Sequence, residues 1–282
     1  MNVVAVPIKP KLPKRAWLVV VLLAIVGCLN YLDRTMITTM RGSIVDAIPM
    51  SDAQFGLLTS VFLWVYGIAS PFAGFLADKF NRSTVIIASL FLWSLVTWLT
   101  AYSTTFNHLL VTRALMGVSE ACYIPAALSL IVEYHRDTTR SLAIGIHMVG
   151  IMVGSGLGFV GGWVAENHYW NTIFIILGVF GIIYAVMLAF TLKDAPKGEV
   201  DIASEKVEDK VHFFHSVKVL FKLKSYIFMF IAWGLLGIVA WLAVGWLPTY
   251  FQEHFNLSQG MAGLYATGYL YPAAIVGLLV GG

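Results

Sequence analysis

The sequence predicts an all-α integral membrane protein: a six-helix bundle, a charged linker and two further helices. Charge is scarce. Of 282 residues, 12% are Asp, Glu, Lys or Arg and 59% are hydrophobic, with a mean hydropathy of +0.81, whereas a water-soluble domain needs about a quarter of its residues charged. Apolar residues also fall into eight long windows, each near the ~20 residues that a helix needs to cross a ~30 Å hydrocarbon core. Finally, the basic residues collect in alternate loops. These figures exclude disorder, collagen, coiled coil and a secreted disulfide scaffold.

Helix one, Ala16–Met40, follows a basic start from Lys9 to Arg15. It is too long for a signal-peptide core and carries no small-residue cleavage site, so it reads as a retained span. Helices two to six are expected at Phe55–Ala77, Thr84–Tyr102, Leu109–Val132, Leu142–Ala165 and Thr172–Leu192. Barrel strands would be about 10 residues long and alternating; these runs are longer and unbroken. Helix seven, Tyr226–Phe251, contains Pro248, which predicts an interruption, because proline removes a backbone donor and clashes with the preceding turn. Helix eight, Gly260–Gly282, runs to the last residue.

Lys9, Lys11, Lys14, Arg15, Lys79, Arg82, Arg136, Arg140 and the seven lysines of the sixth connection all fall on one side if the helices alternate. Arg41 falls on the other. Basic loops stay cytoplasmic, which places the N-terminus there in a multi-pass protein of the plasma (inner) membrane. Between Lys193 and Ser225 the composition changes: Lys197–Lys210 mixes both signs without aromatics and reads as a solvated linker. The HSVKVLFKLKS run after it, with Val217, Leu220 and Phe221 near one face, is either a helix lying on the membrane surface or a plain amphipathic connector. Six helices, a linker and more helices describe a two-bundle protein cut off in its second bundle.

Four charges lie inside the predicted helices: Asp33, Arg34, Arg113 and Glu120. Each costs at least a few kcal/mol there if unpaired, so they are functional candidates by default; the alternative is an ion pair that merely holds two helices together. Asp33 lies about 10 Å from the outer end of helix one and Arg113 about 6 Å down helix four, with Glu120 two turns deeper on the Arg113 face. Asn30 and Arg34 share a face of helix one. Two acids and two bases balance only if both helices face a common interior, which is expected to be a water-lined pocket in the first bundle. Arg keeps its proton and its fork matches a carboxylate, while a buried carboxyl can take one up. Protonation of Asp33 or Glu120 would free an arginine for an anionic substrate, coupling proton and anion as symport requires.

Glycines between Gly145 and Gly162 imply close helix packing or a gating role. His147 reads as a structural residue or a proton relay. Tyr31, Tyr66, Trp241, Trp246, Tyr250 and Tyr269 line a cavity or belong to interfacial belts. Cys28 and Cys122 read as packing residues; two cysteines make neither a disulfide framework nor a metal site, and no cofactor is expected. The helices carry no Ser/Lys or Ser/His pair, HExxH run or paired aspartates, which argues against an enzyme, and an eighth helix argues against a seven-helix receptor.

Gly74-Phe-Leu-Ala-Asp78-Lys79-Phe-Asn-Arg82-Ser83 resembles the loop motif of the major facilitator superfamily, and Arg113-Ala-Leu-Met-Gly117 its fourth-helix motif. The resemblance covers essentially the whole chain. It implies the major facilitator fold, with an N-terminal six-helix bundle (1–192), a cytoplasmic linker (193–225) and the start of a C-terminal bundle (226–282) that four further helices would complete. It also implies a gate network of Asp78, Arg82, Glu133 and Arg140 on the cytoplasmic side. Asn30-Tyr31-Leu32-Asp33-Arg34 and Gly117-Val-Ser-Glu120-Ala-Cys-Tyr123 resemble two groups, the anion:cation symporters and the Spinster-like transporters. From these, Asp33 and Glu120 are implied in proton coupling and Arg34, Tyr31 and Tyr66 in substrate binding; Asn30, on the Arg34 face, and Arg113, at the depth of Arg34, are expected in substrate binding from their positions. The leading expectation is proton symport of a small carboxylate by alternating access. The alternatives are a Spinster-like carrier of a lysolipid or other amphiphile, or a facilitator independent of protons. Ile151 stands where sugar-acid carriers have a glutamine, and Gly154-Ser-Gly-Leu-Gly158 is closer to the Spinster pattern. The partners implied are a small-molecule substrate, protons and the bilayer, with no nucleic acid.

Overall fold

The computed structural model describes residues 15–135, 137–195 and 213–281. Every regular element in these residues is helical: α1 (Ala16–Thr39), α2 (Arg41–Ala47), α3 (Asp52–Lys79), α4 (Arg82–Thr100), α5 (Phe106–Ala121), α6 (Tyr123–Tyr134), a 3-10 turn (Asp137–Thr139), α7 (Arg140–Gly156), α8 (Phe159–Asn167) and α9 (Thr172–Thr191). A second group follows, α10 (Phe213–Leu220), α11 (Lys224–Phe255), α12 (Gln259–Gly263), a π-helical turn at Leu264–Gly268 and α13 (Leu270–Gly281). Seven helical stretches are long and apolar enough to cross a membrane, with α5–α6 and α7–α8 each acting as one span. The solvated character expected of Lys197–Lys210, and the basic residues Lys9, Lys11, Lys14 and Arg136, lie outside the described residues.

Four local expectations change. The fourth span breaks at Cys122 and the fifth at Leu157-Gly158. The eighth is broken too, its π turn separating α12 from α13. Pro248, by contrast, does not interrupt helix seven, since α11 runs unbroken for 32 residues around it. Without water, a span keeps its backbone hydrogen-bonded internally, and Pro248 removes only the one bond to the Val244 carbonyl, four residues earlier, so the ladder on either side carries the helix through.

The core is built in two layers along α1. Toward the N-terminal face, Leu23, Val26, Ile86, Trp93, Tyr123, Leu130 and Leu188 are fully or almost fully buried together. Toward the opposite face, Met36, Ile37, Met40, Phe55, Leu58 and Phe174 form a second cluster. Between the layers lie the intramembrane charges.

Candidate functional site

The position of α1 is fixed by its seam with α7 and α8. A Cβ at Gly150 would strike the Ala24 carbonyl, and one at Gly154 the Cys28 carbonyl, so glycine is needed for the backbones to touch. Farther along, the Thr39 hydroxyl donates to the Gly158 carbonyl (2.9 Å) and accepts from the Gly162 amide (3.0 Å). The close-packing reading of these glycines therefore describes the seam, although Gly145 has open space around its Cα.

On α1, Asn30, Asp33 and Arg34 turn inward and are almost fully buried, as are Arg113 and Glu120 on α5. The Arg34 Nε–H donates to Glu120 Oε2 at 2.7 Å, and the Asn30 amide donates to the same oxygen at 3.0 Å. Three aromatic rings surround the Arg34 guanidinium, Tyr66 at 4.4 Å, Tyr31 at 4.7 Å and Phe62 at 5.1 Å. Asp33 accepts from the Thr97 hydroxyl of α4 at 3.1 Å. Arg113 reaches the backbone carbonyl of Asp33 (3.4 Å) rather than its carboxylate, and its guanidinium faces the Phe174 ring. Asp33 Oδ1, Glu120 Oε1 and the Nε and Nη2 of Arg113 have no hydrogen-bond partner among the described residues. Buried polar atoms are normally satisfied, so this cluster retains hydrogen-bonding capacity for a ligand or a proton.

A cavity of about 290 Å³ adjoins the cluster. Arg34, Thr38, Thr59, Ser60 and Arg113 are its charged and polar lining residues, and Phe62, Leu63, Ile238, Trp241, Leu242 and Trp246 supply much of its apolar lining. It lies between the first bundle and α11, not wholly inside the first bundle as expected, because α11 contributes one wall. Asp33 and Glu120 stand behind the arginines and do not line it. Tyr31 and Tyr66 stack on Arg34, whereas Tyr250 and Tyr269 are exposed. His147 is fully buried near Gly27 and Tyr123.

Ties across the face opposite the N-terminus join the first bundle to the second group. Arg41 pairs with Glu253 of α11 (3.8 Å) across this junction and with Asp52 of α3 inside the first bundle. Gln259 accepts from the Ser43 amide (3.0 Å) and donates to the Ser43 hydroxyl (2.9 Å) and the Gly162 carbonyl (3.2 Å). Glu166 accepts from the Gly260 amide (2.7 Å) and the Ser258 hydroxyl (3.2 Å). On the N-terminal face Arg82 pairs with Glu133 at 3.0 Å. Gly74 is half-buried, and Asp78, Lys79 and Arg140 are exposed, Lys79 lying over the Phe75 and Phe80 rings. Asp194 accepts from the Ser83 amide (2.9 Å) and hydroxyl (3.0 Å), holding the start of α4.

Sequence reasoning missed Phe62, Thr97, Asp194, Glu166 and Gln259. Thr97 had a readable signal, a polar residue in an apolar run. Phe62 had none, since one phenylalanine among many is distinguished only by what it faces.

Comparison with known proteins adds lineage to this geometry. A family model described as Major Facilitator Superfamily matches residues 23–282. Among curated relatives, protein spinster homolog 1 of Xenopus tropicalis is 28% identical over 239 residues, 83% of this chain and 45% of that protein. The sphingosine-1-phosphate transporter SPNS2 of Mus musculus is 27% identical over 236 residues, 82% of this chain and 43% of that protein. The chain thus spans somewhat under half the length of these relatives. A crystal structure of a bacterial homolog to the human lysosomal transporter Spinster, inward-facing and unoccupied, matches with a TM-score of 0.78 at 24% identity. That match covers 95% of this chain and 62% of the other, and it carries the fold.

Proposed function

The chain belongs to the Major Facilitator Superfamily, a family of transporters rather than enzymes, and on that premise we propose that it forms the leading part of a secondary carrier for an anionic amphiphile. The observation that carries this reading is the cavity. Two arginines, Arg34 and Arg113, line it together with Ile, Leu, Phe and Trp side chains. An anionic headgroup would meet the arginines, whose fork matches carboxylate and phosphate alike, and an alkyl tail would lie against Leu63, Ile238, Trp241 and Leu242.

The two substrate readings accordingly change places. A small, strongly hydrated carboxylate would leave most of the apolar lining unused, whereas an amphiphile uses both the arginines and the apolar side chains. Relatives named as sphingosine-1-phosphate transporters support the same order. In this reading Asp33 and Glu120 take up the coupling proton behind the arginines, and Tyr31, Tyr66 and Asn30 hold Arg34 and Glu120 in place. The Arg82–Glu133 pair belongs to a gate shared with Gly74, Asp78, Lys79 and Arg140. The division into 1–192, 193–225 and 226–282 follows the bundles, and the basic face is cytoplasmic by the positive-inside rule.

Uptake by the complete protein in liposomes tests this, with sphingosine-1-phosphate and a short sugar acid compared with and without an inward proton gradient. Gradient-dependent accumulation of the amphiphile alone is expected. Accumulation of the sugar acid alone overturns the substrate class, and amphiphile uptake indifferent to the gradient overturns the coupling.

A further inference from the structure

The segment joining the linker to α11 carries a charge pattern that the transport reading does not use. From Lys210 to Gln252 the sequence contains Lys210, Lys218, Lys222 and Lys224 and no acidic residue. Lys218, Lys222 and Lys224 are all exposed, and between them lie Val219, Leu220, Phe221 and Leu223, each at least 40% exposed. A soluble connector would not mix exposed Phe and Leu with lysine so closely. A segment at a membrane surface would, with apolar side chains entering the acyl boundary and ammonium groups at headgroup level.

The backbone holds this arrangement in place. Main-chain hydrogen bonds Phe221 N–Val217 O (3.1 Å), Lys222 N–Val219 O (3.1 Å), Leu223 N–Leu220 O (3.0 Å) and Ile227 N–Leu223 O (3.2 Å) carry α10 into α11 as one compact turn. The Phe221 ring packs on Tyr226 and Phe230 of α11, at 5.6 and 5.9 Å. At 32 residues and 1.5 Å per residue, α11 is about 48 Å long. It outruns a ~30 Å core, so its Lys224 end reaches the headgroup region. Helix α10 is thereby tethered at the interface on the basic face.

We propose that α10 and the turn into α11 bind the anionic phospholipid surface of the leaflet on the basic face, through Lys218, Lys222 and Lys224 with Val219 and Leu223 inserted. An anionic surface is the favoured occupant because three exposed cations stand together in a stretch without acids. A neutral bilayer would use only the apolar residues and leave the lysines indifferent to lipid charge.

The test uses the complete protein with Cys28 and Cys122 replaced by alanine and a bimane fluorophore on V219C. It is placed in nanodiscs of phosphatidylcholine alone or with phosphatidylglycerol added. Quenching by acrylamide, a neutral aqueous quencher, is compared with quenching by a phospholipid nitroxide placed just below the headgroup. Phosphatidylglycerol is expected to reduce acrylamide quenching and raise nitroxide quenching at least twofold. High salt should weaken the change, and the K218Q/K222Q/K224Q variant should abolish it. Equal quenching in the two lipid compositions overturns the proposal, and so does a lipid response that survives in the triple variant. Protection from both quenchers in every composition also overturns it, by showing that protein covers α10. The salt titration needs no variant and so stands apart from any folding effect.

Discussion

Arg34 and Glu120, 86 residues apart, share a 2.7 Å hydrogen bond in which both side chains are almost sealed from solvent. Removing one partner of such a buried pair typically costs about 3–5 kcal/mol, because the other charge is left uncompensated. Glu120→Gln should therefore lower the stability of the complete protein substantially, which thermal unfolding in detergent will read. It should also abolish accumulation driven by a pH gradient while substrate exchange persists. Asp33 contacts Thr97 and makes no such short pair, so Asp33→Asn should lose the same accumulation at smaller cost to stability. Gradient-driven uptake by both variants would remove the acids from coupling.

The rings around Arg34 are expected to hold it in position rather than merely to fill space. Tyr66 lies 4.4 Å from the guanidinium carbon, and a desolvated cation–π contact is worth roughly 2 kcal/mol. Tyr66→Phe keeps the ring and should bind substrate nearly as the parent does. Tyr66→Ala should weaken binding by on the order of tenfold or more, as titrated by substrate-induced tryptophan quenching. Equal affinities for the two variants would show that the ring contributes nothing.

The α1–α7 seam makes a sharper structural prediction. At Gly154 a methyl group meets the Cys28 carbonyl, while at Gly145 it meets open space. Overpacking costs about 1–3 kcal/mol even where side chains can adjust, and here the obstacle is backbone. Gly154→Ala should lower the yield of folded protein and its melting temperature markedly. Gly145→Ala should be neutral or slightly stabilising, since alanine is the better helix former. Size-exclusion profiles with thermal melts of both variants will decide, and equal behaviour would mean that the seam relaxes freely.

The spans and their alternation were legible because the bilayer imposes one length and one hydropathy on every crossing. The charged cluster was legible for the same reason, as Asp33, Arg34, Arg113 and Glu120 stand out against an apolar background. Which charge meets which was not. Sequence spacing places residues on one helix face, but the Arg34–Glu120 and Asp33–Thr97 contacts depend on how α1, α4 and α5 rotate against one another. The continuity of α11 through Pro248 and the breaks at Cys122 and Leu157-Gly158 were hidden as well, because tertiary contacts there outweigh local propensity. Gln259 gave no warning, being one polar residue at a helix start whose two partners, Ser43 and Gly162, lie 216 and 97 residues away.

Those Gln259 bonds support the last prediction. Gln259 and Glu166 together tie α12 to α2 and α8 on the face opposite the N-terminus. Arg41 adds its pair to Glu253 there, and it lies 5.9 Å from the Trp246 ring at the cavity wall. A carrier that alternates must break these ties to open on that side, so they favour the state in which that side is closed. Removing them should shift the population toward opening by their lost free energy, about 1 kcal/mol for each neutral hydrogen bond and more for those to Glu166. Gln259→Ala and Glu166→Ala, singly and together, are expected to raise the labelling rate of a cysteine placed at Thr38 by a membrane-impermeant maleimide added from that side. Five bonds are lost in the double variant, so the increase there should be roughly a hundredfold or more. Thr38 suits the purpose because it is 4% exposed and lines the cavity. An unchanged labelling rate in the double variant would mean that the ties hold the fold together without holding the carrier shut.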